Sequence, residues 1–196
     1  MMRDPNRRSL SAFFYPGIHH NSKCSNTQDV CFLEYVSNSK WSNIAVKMMS
    51  GGYAYSSDPT CVKEGQCKHS LELATKNLEL LLFMGVAELW ELSMLLLHVK
   101  LPTALPLLSE FRASTDSTSG TRQHASNASS SSSSFKTTAL VKYAVQLEKQ
   151  NGLDKVLYKS VLQNFCRDLH SLRLWEHDSV QAYWGDKSPF RTEQCP

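Results

Sequence analysis

Two arginines and a serine near the start of the chain, Arg3, Arg8 and Ser11, offer donors to an anion. Asp4 followed by Pro5 predicts a helix start between them, because Asp caps free backbone N–H groups and Pro suits the first helical position. Asp4, Arg8, Ser11 and Tyr15 succeed one another at steps of four, three and four, so they share one side of that helix. Leu10, Phe13 and Phe14 form an apolar stripe on another side. Arg3 precedes the cap, where a strand would hand over to the helix. An arginine at a strand end, a helix N-terminus, a second arginine and a hydroxyl together make an anion site. The same residues also describe an ordinary capped amphipathic helix.

The elements that must position these groups are read from periodicity. The Thr27-Gln28-Asp29 segment is a cap for a helix through Val36. Residues 41–49 form a second short helix, ended by Ser50-Gly51-Gly52, where glycine supplies the left-handed conformation. His69 to Leu80 is helical, with Leu71, Ala74, Leu78 and Leu81 at helical spacing. The continuous apolar run Leu81–Val86 is predicted to be a buried strand, followed by a strongly apolar helix from Leu89 to Leu101. Residues 112–135 are rich in Ser, Thr and Asn, end in a serine run, and are expected to be a flexible loop. Beyond it come two helices, the first from Thr138 to Gln150 and the second from Asp154 to Leu172, separated by a break at Asn151-Gly152. A polar tail fills 176–196.

Composition sets bounds. The chain has 196 residues, 41% hydrophobic, enough for a packed core. A formal net charge of +3 is too mild to argue for nucleic acid. Six cysteines without a Cys-x-x-Cys pair suit an oxidising compartment better than a metal site, and His19 and His20 have no third ligand at metal spacing. No run reaches the length of a membrane span. A parallel strand at Met1–Arg3 needs neighbouring strands, so the sequence reads as the C-terminal piece of a longer protein.

Taken together, these stretches resemble sulfotransferases that use 3′-phosphoadenosine 5′-phosphosulfate (PAPS), in particular the Golgi-type carbohydrate enzymes of the heparan and chondroitin kind. Arg3-Asp4-Pro5 with Ser11 eight residues after the arginine matches their 3′-phosphate segment, and Arg8 matches an arginine between them. Phe83, Gly85, Glu88 and Ser93 match a strand–helix segment, with Ala87 standing where the family usually has Thr. The run from Asn151 through Leu153, Asp154, Leu157 and Tyr158 to Phe165 matches a terminal helix.

The resemblance implies an α/β, P-loop-NTPase-like sulfotransferase fold, a parallel sheet flanked by helices with its N-terminal part missing, over residues 1–175. It implies that Arg3, Ser11 and Arg8 hold the nucleotide, together with Arg122 from a basic loop; Arg112 and Lys136 are further candidates. PAPS would be the co-substrate, with no metal, and the acceptor a carbohydrate hydroxyl. The 5′-phosphosulfate loop and the catalytic base of the family have no counterpart here, so the catalytic residue is unknown and the piece alone is expected to be inactive. Some members carry a small disulfide loop where Cys61 and Cys67 lie; a second bridge would join Cys24 and Cys31, although four cysteines allow three pairings. A Golgi-lumen location as part of a type II membrane protein follows, anchored only through a missing N-terminal segment, and Asn127 would then be a glycosylation site. Two alternatives stay open: a catalytically inactive sulfotransferase-like binding protein, and a disulfide-stapled helical interaction module.

Overall fold

The computed structural model describes residues 1–14, 27–51, 67–101 and 130–176. Helices account for 80% of them. In order these are α1 (Pro5–Phe13), α2 (Gln28–Ser37), α3 (Ile44–Met49), α4 (Cys67–Glu79), α5 (Trp90–Lys100), α6 (Ser130–Lys142) and α7 (Ala144–Ser171), with 3₁₀ turns at Ser39–Trp41, Ala87–Leu89 and Leu174–Glu176. Contacts divide the described residues into two units. One contains 1–3, 80–101 and 158–176, the other 4–14, 27–51, 67–79 and 130–157.

In the larger unit, α1 forms where the capping residues place it. Asp4 accepts a hydrogen bond from Arg7 N at 2.9 Å, and Pro5 opens the helix. Its stripe supplies Leu10 and Phe13 to a core completed by Phe32, Tyr35 and Val36 of α2 and by Ala139, Tyr143 and Leu147. Phe13 meets Phe32 edge-on with ring centroids 5.0 Å apart, and Phe32 lies 5.2 Å from Tyr143. Such pairs add about 0.5–1.5 kcal/mol each beyond their burial. Helix α3 packs on α4, and Asn77 Nδ2 donates to the Met49 carbonyl at 2.7 Å, satisfying one of the carbonyls left open at the end of α3. Gly51 follows with φ +82°, the left-handed turn expected of it.

Three expected boundaries shift. The helix expected over 41–49 is a 3₁₀ turn and α3, separated by Asn43 in the left-handed conformation (φ 46°). The serine run at 130–134, expected in a flexible loop, forms the first turns of α6; serine is only a weak opponent of helix, and buried Ala139 anchors the next turns. The break expected at Asn151-Gly152 does not occur, since α7 runs through it.

The smaller unit overturns the α/β expectation. Among the described residues there is no strand and no sheet, only an isolated parallel bridge between Met2 and Val86. Met2 N donates to Gly85 O at 2.8 Å, and Ala87 N donates to Met2 O at 2.7 Å. On its other edge Val86 meets a side chain and not a second strand. The buried Ser93 hydroxyl of α5 accepts from Val86 N at 2.8 Å and donates to Val86 O at 2.9 Å. Both peptide groups that a neighbouring strand would use are thereby satisfied. The apolar run is not a buried strand either: Leu80 and Leu82 are 78% and 63% exposed, and burial begins only at Gly85 and Val86. A parallel strand needs cover on both faces, which this segment lacks. Leu89, Leu92, Leu95 and Leu96, with Val161, Phe165 and Leu169 of α7, supply the buried apolar groups of this unit.

Candidate functional site

In the smaller unit, three stretches far apart in sequence meet at one carboxylate. The Met2–Val86 bridge brings the start of the chain beside the 3₁₀ turn that carries Glu88. Arg3 Nε lies 3.8 Å from Glu88 Oε1, an ion pair beyond hydrogen-bonding distance. The Tyr158 hydroxyl of α7 donates to Glu88 Oε2 at 3.2 Å. Glu88 is 19% exposed and Arg3 49%, so Arg3 presents its guanidinium largely to solvent while Nε faces the carboxylate. Arginine carries five N–H donors in a planar fork, and contact through Nε leaves the outer edge of that fork able to grip an oxyanion.

Gly85 is required for this arrangement. A Cβ there would stand 2.9 Å from the Phe83 ring, 3.0 Å from Met1 Cγ and 3.0 Å from Ser93 Cβ. Glycine leaves room for the Phe83 and Met1 side chains and for Ser93 Cβ, which is fixed to the backbone of α5. Glu88, read from sequence as a motif position or as charge at a helix start, therefore serves as the partner of Arg3 and Tyr158.

In the larger unit, Arg8 is committed elsewhere. Its Nη2 is paired with the carboxylate of Asp154, which is fully buried. Asp154 also accepts from Ala45 N at 3.1 Å and Val46 N at 2.8 Å, closing the first turn of α3. Asn43, the residue that caps α3, turns its own side chain the other way. Its Oδ1 accepts from Leu153 N at 3.0 Å and Asp154 N at 3.3 Å, while its N donates to Gln150 O at 3.1 Å. The two helices thus exchange caps: α7 lends Asp154 to α3, and the residue before α3 lends Asn43 to α7. Beside them, buried Asn151 donates to Ser9 Oγ at 3.0 Å and to Asn6 Oδ1 at 3.1 Å. Sequence reasoning read the Asn151–Tyr158 stretch as packing. The signal for more was there, in uncompensated polar residues on an otherwise apolar helical face. Arg8, expected as a nucleotide contact, is paired through Nη2 with Asp154. Ser11 is exposed on α1.

A third polar cluster lies at the start of α2. Asp29 accepts from Lys142 Nζ at 2.7 Å and from the Tyr143 hydroxyl at 2.7 Å. The Lys142 hydrogen bond, then that of Tyr143, holds the Asp29 carboxyl below its ordinary value. The same bond to Asp29 raises Lys142. Burial first, then the bond to Asp29, raises Tyr143.

Arg122, Arg112, Asn127, Cys24, Cys61, His19 and His20 lie outside the described residues, and Cys67 opens α4 with its side chain also outside them. Cys31 is disulfide-bonded, and so is Cys166, a residue that sequence reasoning did not single out. Lys136, a candidate nucleotide contact, sits 5.0 Å over the Phe14 ring. Among the described residues no group of three or more His, Cys, Asp or Glu could hold a metal ion, and no helix is long and apolar enough to cross a membrane. Compared with protein families, with curated proteins and with solved structures, the chain has no match.

Proposed function

We propose that the chain takes part in sulfuryl transfer from PAPS to a carbohydrate hydroxyl, with Arg3 as a contact to the 3′-phosphate of the nucleotide. The single observation that carries this reading is the convergence at Glu88. Arg3, the Gly85–Glu88–Ser93 segment and Tyr158 come from three stretches that each resemble the sulfotransferases, and they meet in one unit. Glu88 and Tyr158 act as positioning residues, holding the arginine fork at the end of the Met2–Val86 bridge. Ser11, which the resemblance also names, is exposed on α1 of the larger unit. Arg8 lies in the larger unit, paired with Asp154. The general base remains unassigned.

The test is calorimetric titration of the protein with 3′-phosphoadenosine 5′-phosphate and with adenosine 5′-phosphate, which lacks the 3′-phosphate. Wild type is compared with Arg3→Ala and, separately, Ser11→Ala. A lost charged hydrogen bond costs roughly 1.5–3 kcal/mol, or about one to two decades in affinity. Arg3→Ala should abolish the preference for the 3′-phosphate; equal affinity of the wild type for both nucleotides refutes the proposal. A second reading, a disulfide-stapled helical interaction module, is supported by the helical content and by the disulfides of Cys31 and Cys166. It predicts no response to either nucleotide.

A further inference from the structure

The larger unit carries a helical face that its core does not use. Helical register passes from α6 into α7: Tyr143 N donates to Ala139 O at 3.0 Å, and Leu147 N donates to Tyr143 O at 2.9 Å. Ala139, Tyr143, Leu147, Gln150, Asn151 and Asp154 are buried and mark the inner face. At about 3.6 residues per turn, Val145, Glu148, Gly152, Lys155 and Val156 come round to the outer one. Val145 is 78% exposed and Val156 51%, and Val141, 79% exposed, continues the face one turn earlier. A single exposed valine is ordinary; three aligned on one helix face are not.

Gly152 supplies the second observation. It sits in the interior of α7, where glycine is the poorest helix former after proline. A Cβ there would meet nothing within 4 Å outside the backbone of its own helix. Its φ is not in the left-handed region either. Neither crowding nor backbone conformation within the unit calls for a glycine. Close approach of a second backbone from outside does.

We propose that this face docks on the same face of a second copy of the chain, the two helices antiparallel and crossing at Gly152. Val145 and Val156 lie to one side of Gly152, Glu148 and Lys155 to the other. An antiparallel two-fold axis near Gly152 keeps each side with itself. It sets Val145 beside the partner's Val156 and Glu148 beside the partner's Lys155, each pair occurring twice. Within one copy Lys155 is already paired with Glu148. Docking places the two ion pairs side by side, so that each carboxylate lies between two ammonium groups. A parallel pairing would instead set the charged row of one copy against the valines of the other. One charge of each sign also gives the face no attraction for an anionic lipid surface. The stretch from Val145 to Val156 spans about 17 Å of helix. Such a contact falls below the roughly 1,200 Å² of standard interfaces, so the dimer is weak and concentration-dependent.

The test is sedimentation equilibrium of the full chain. The expected result is a monomer–dimer equilibrium with a dissociation constant between roughly 10 μM and 1 mM. Val145→Asp, at an exposed position where the fold is indifferent, should raise that constant about tenfold or more by burying an unpaired charge. Gly152→Leu should weaken the dimer as strongly while raising the Tm of the dilute chain, because leucine is the better helix former. Opposite signs in the two measurements separate a blocked interface from a damaged fold. Glu148→Lys and Lys155→Glu should each dimerise poorly alone, and an equimolar mixture of the two should recover the wild-type constant, since opposite charges then meet across the axis. The proposal is overturned if the wild type stays monomeric up to about 1 mM. It is equally overturned if Val145→Asp or Gly152→Leu leaves the constant unchanged, or if the mixture associates no better than either variant alone. None of these results involves Arg3 or a nucleotide, so this proposal and the one above fail separately.

Discussion

Replacing Asp154 by alanine should cost about 3–5 kcal/mol of folding stability. Asp154 is fully buried and has three donors: Arg8 Nη2 and the backbone N–H groups of Ala45 and Val46. Its loss strands two N–H groups at the start of α3, each costing roughly 1–3 kcal/mol if no water reaches it. It also leaves Arg8, whose side chain is only 23% exposed, without its counter-charge, and breaking such a buried pair costs about 3–5 kcal/mol. These costs overlap because one carboxylate serves all three donors, so the larger single figure is the better guide. Against a typical total of roughly 5–15 kcal/mol, this is a severe loss. Asp154→Asn keeps an oxygen for Val46 N but puts an amide NH2 where Arg8 and Ala45 N share Oδ2, and should cost about 1.5–3 kcal/mol. As a reference, Glu148→Ala removes the solvent-exposed Lys155–Glu148 pair and should cost no more than about 1 kcal/mol. Urea unfolding gives the totals, and amide exchange at Ala45 and Val46 gives the local effect. If Asp154→Ala loses less than about 1 kcal/mol with an unchanged denaturant slope, or if those two amides keep their protection, the exchange of caps between α3 and α7 is not the anchor described.

Two further perturbations probe other parts of the chain. Gly85→Ala puts a methyl group within 3.0 Å of Ser93 Cβ, a position fixed to the backbone of α5, and should destabilise by roughly 1–3 kcal/mol while weakening the Met2–Val86 bridge. Thermal unfolding together with amide exchange at Met2 and Ala87 checks this, and a neutral result would mean that the first residues do not lie against this segment. Asp29, held low by Lys142 and Tyr143, stabilises the folded state above its ordinary value of 3.8, and that contribution disappears as pH falls below 3.8 through the lowered folded value. A carboxyl NMR titration should place Asp29 below 3.8 in the wild type and nearer to it in Lys142→Ala. A wild-type Asp29 that titrates at or above 3.8 would show that the cluster does not form in solution.

What the sequence determined by itself was local. Asp4-Pro5 announces α1 because a cap and a fixed φ act within one helical turn, and its stripe of Leu10 and Phe13 names the face that becomes buried. Gly51 announces the end of α3 for the same reason: a left-handed residue after a helix needs no distant partner. Helical spacing names Leu71, Ala74, Leu78 and Leu81; Ala74 and Leu78 of α4 are buried, while Leu81 lies beyond the helix and is 46% exposed. Only the tertiary structure decided the rest. An apolar run such as Leu81–Val86 has the pattern of a strand, but whether neighbours cover it is not written in the run itself. Here Ser93 takes the edge that a strand would have used, and Leu80–Leu82 stay exposed. Asn151-Gly152 looks like a helix break by local preference. It is overridden where Asn43 Oδ1 accepts from Leu153 N and Asp154 N and where Ser9 and Asn6 hold Asn151. Arg8 has the sequence signature of an anion ligand, yet its anion is Asp154, 146 residues away. A charge alone does not say whether its partner is a ligand or another part of the chain, because both satisfy the same donors; folding brought the partner into reach.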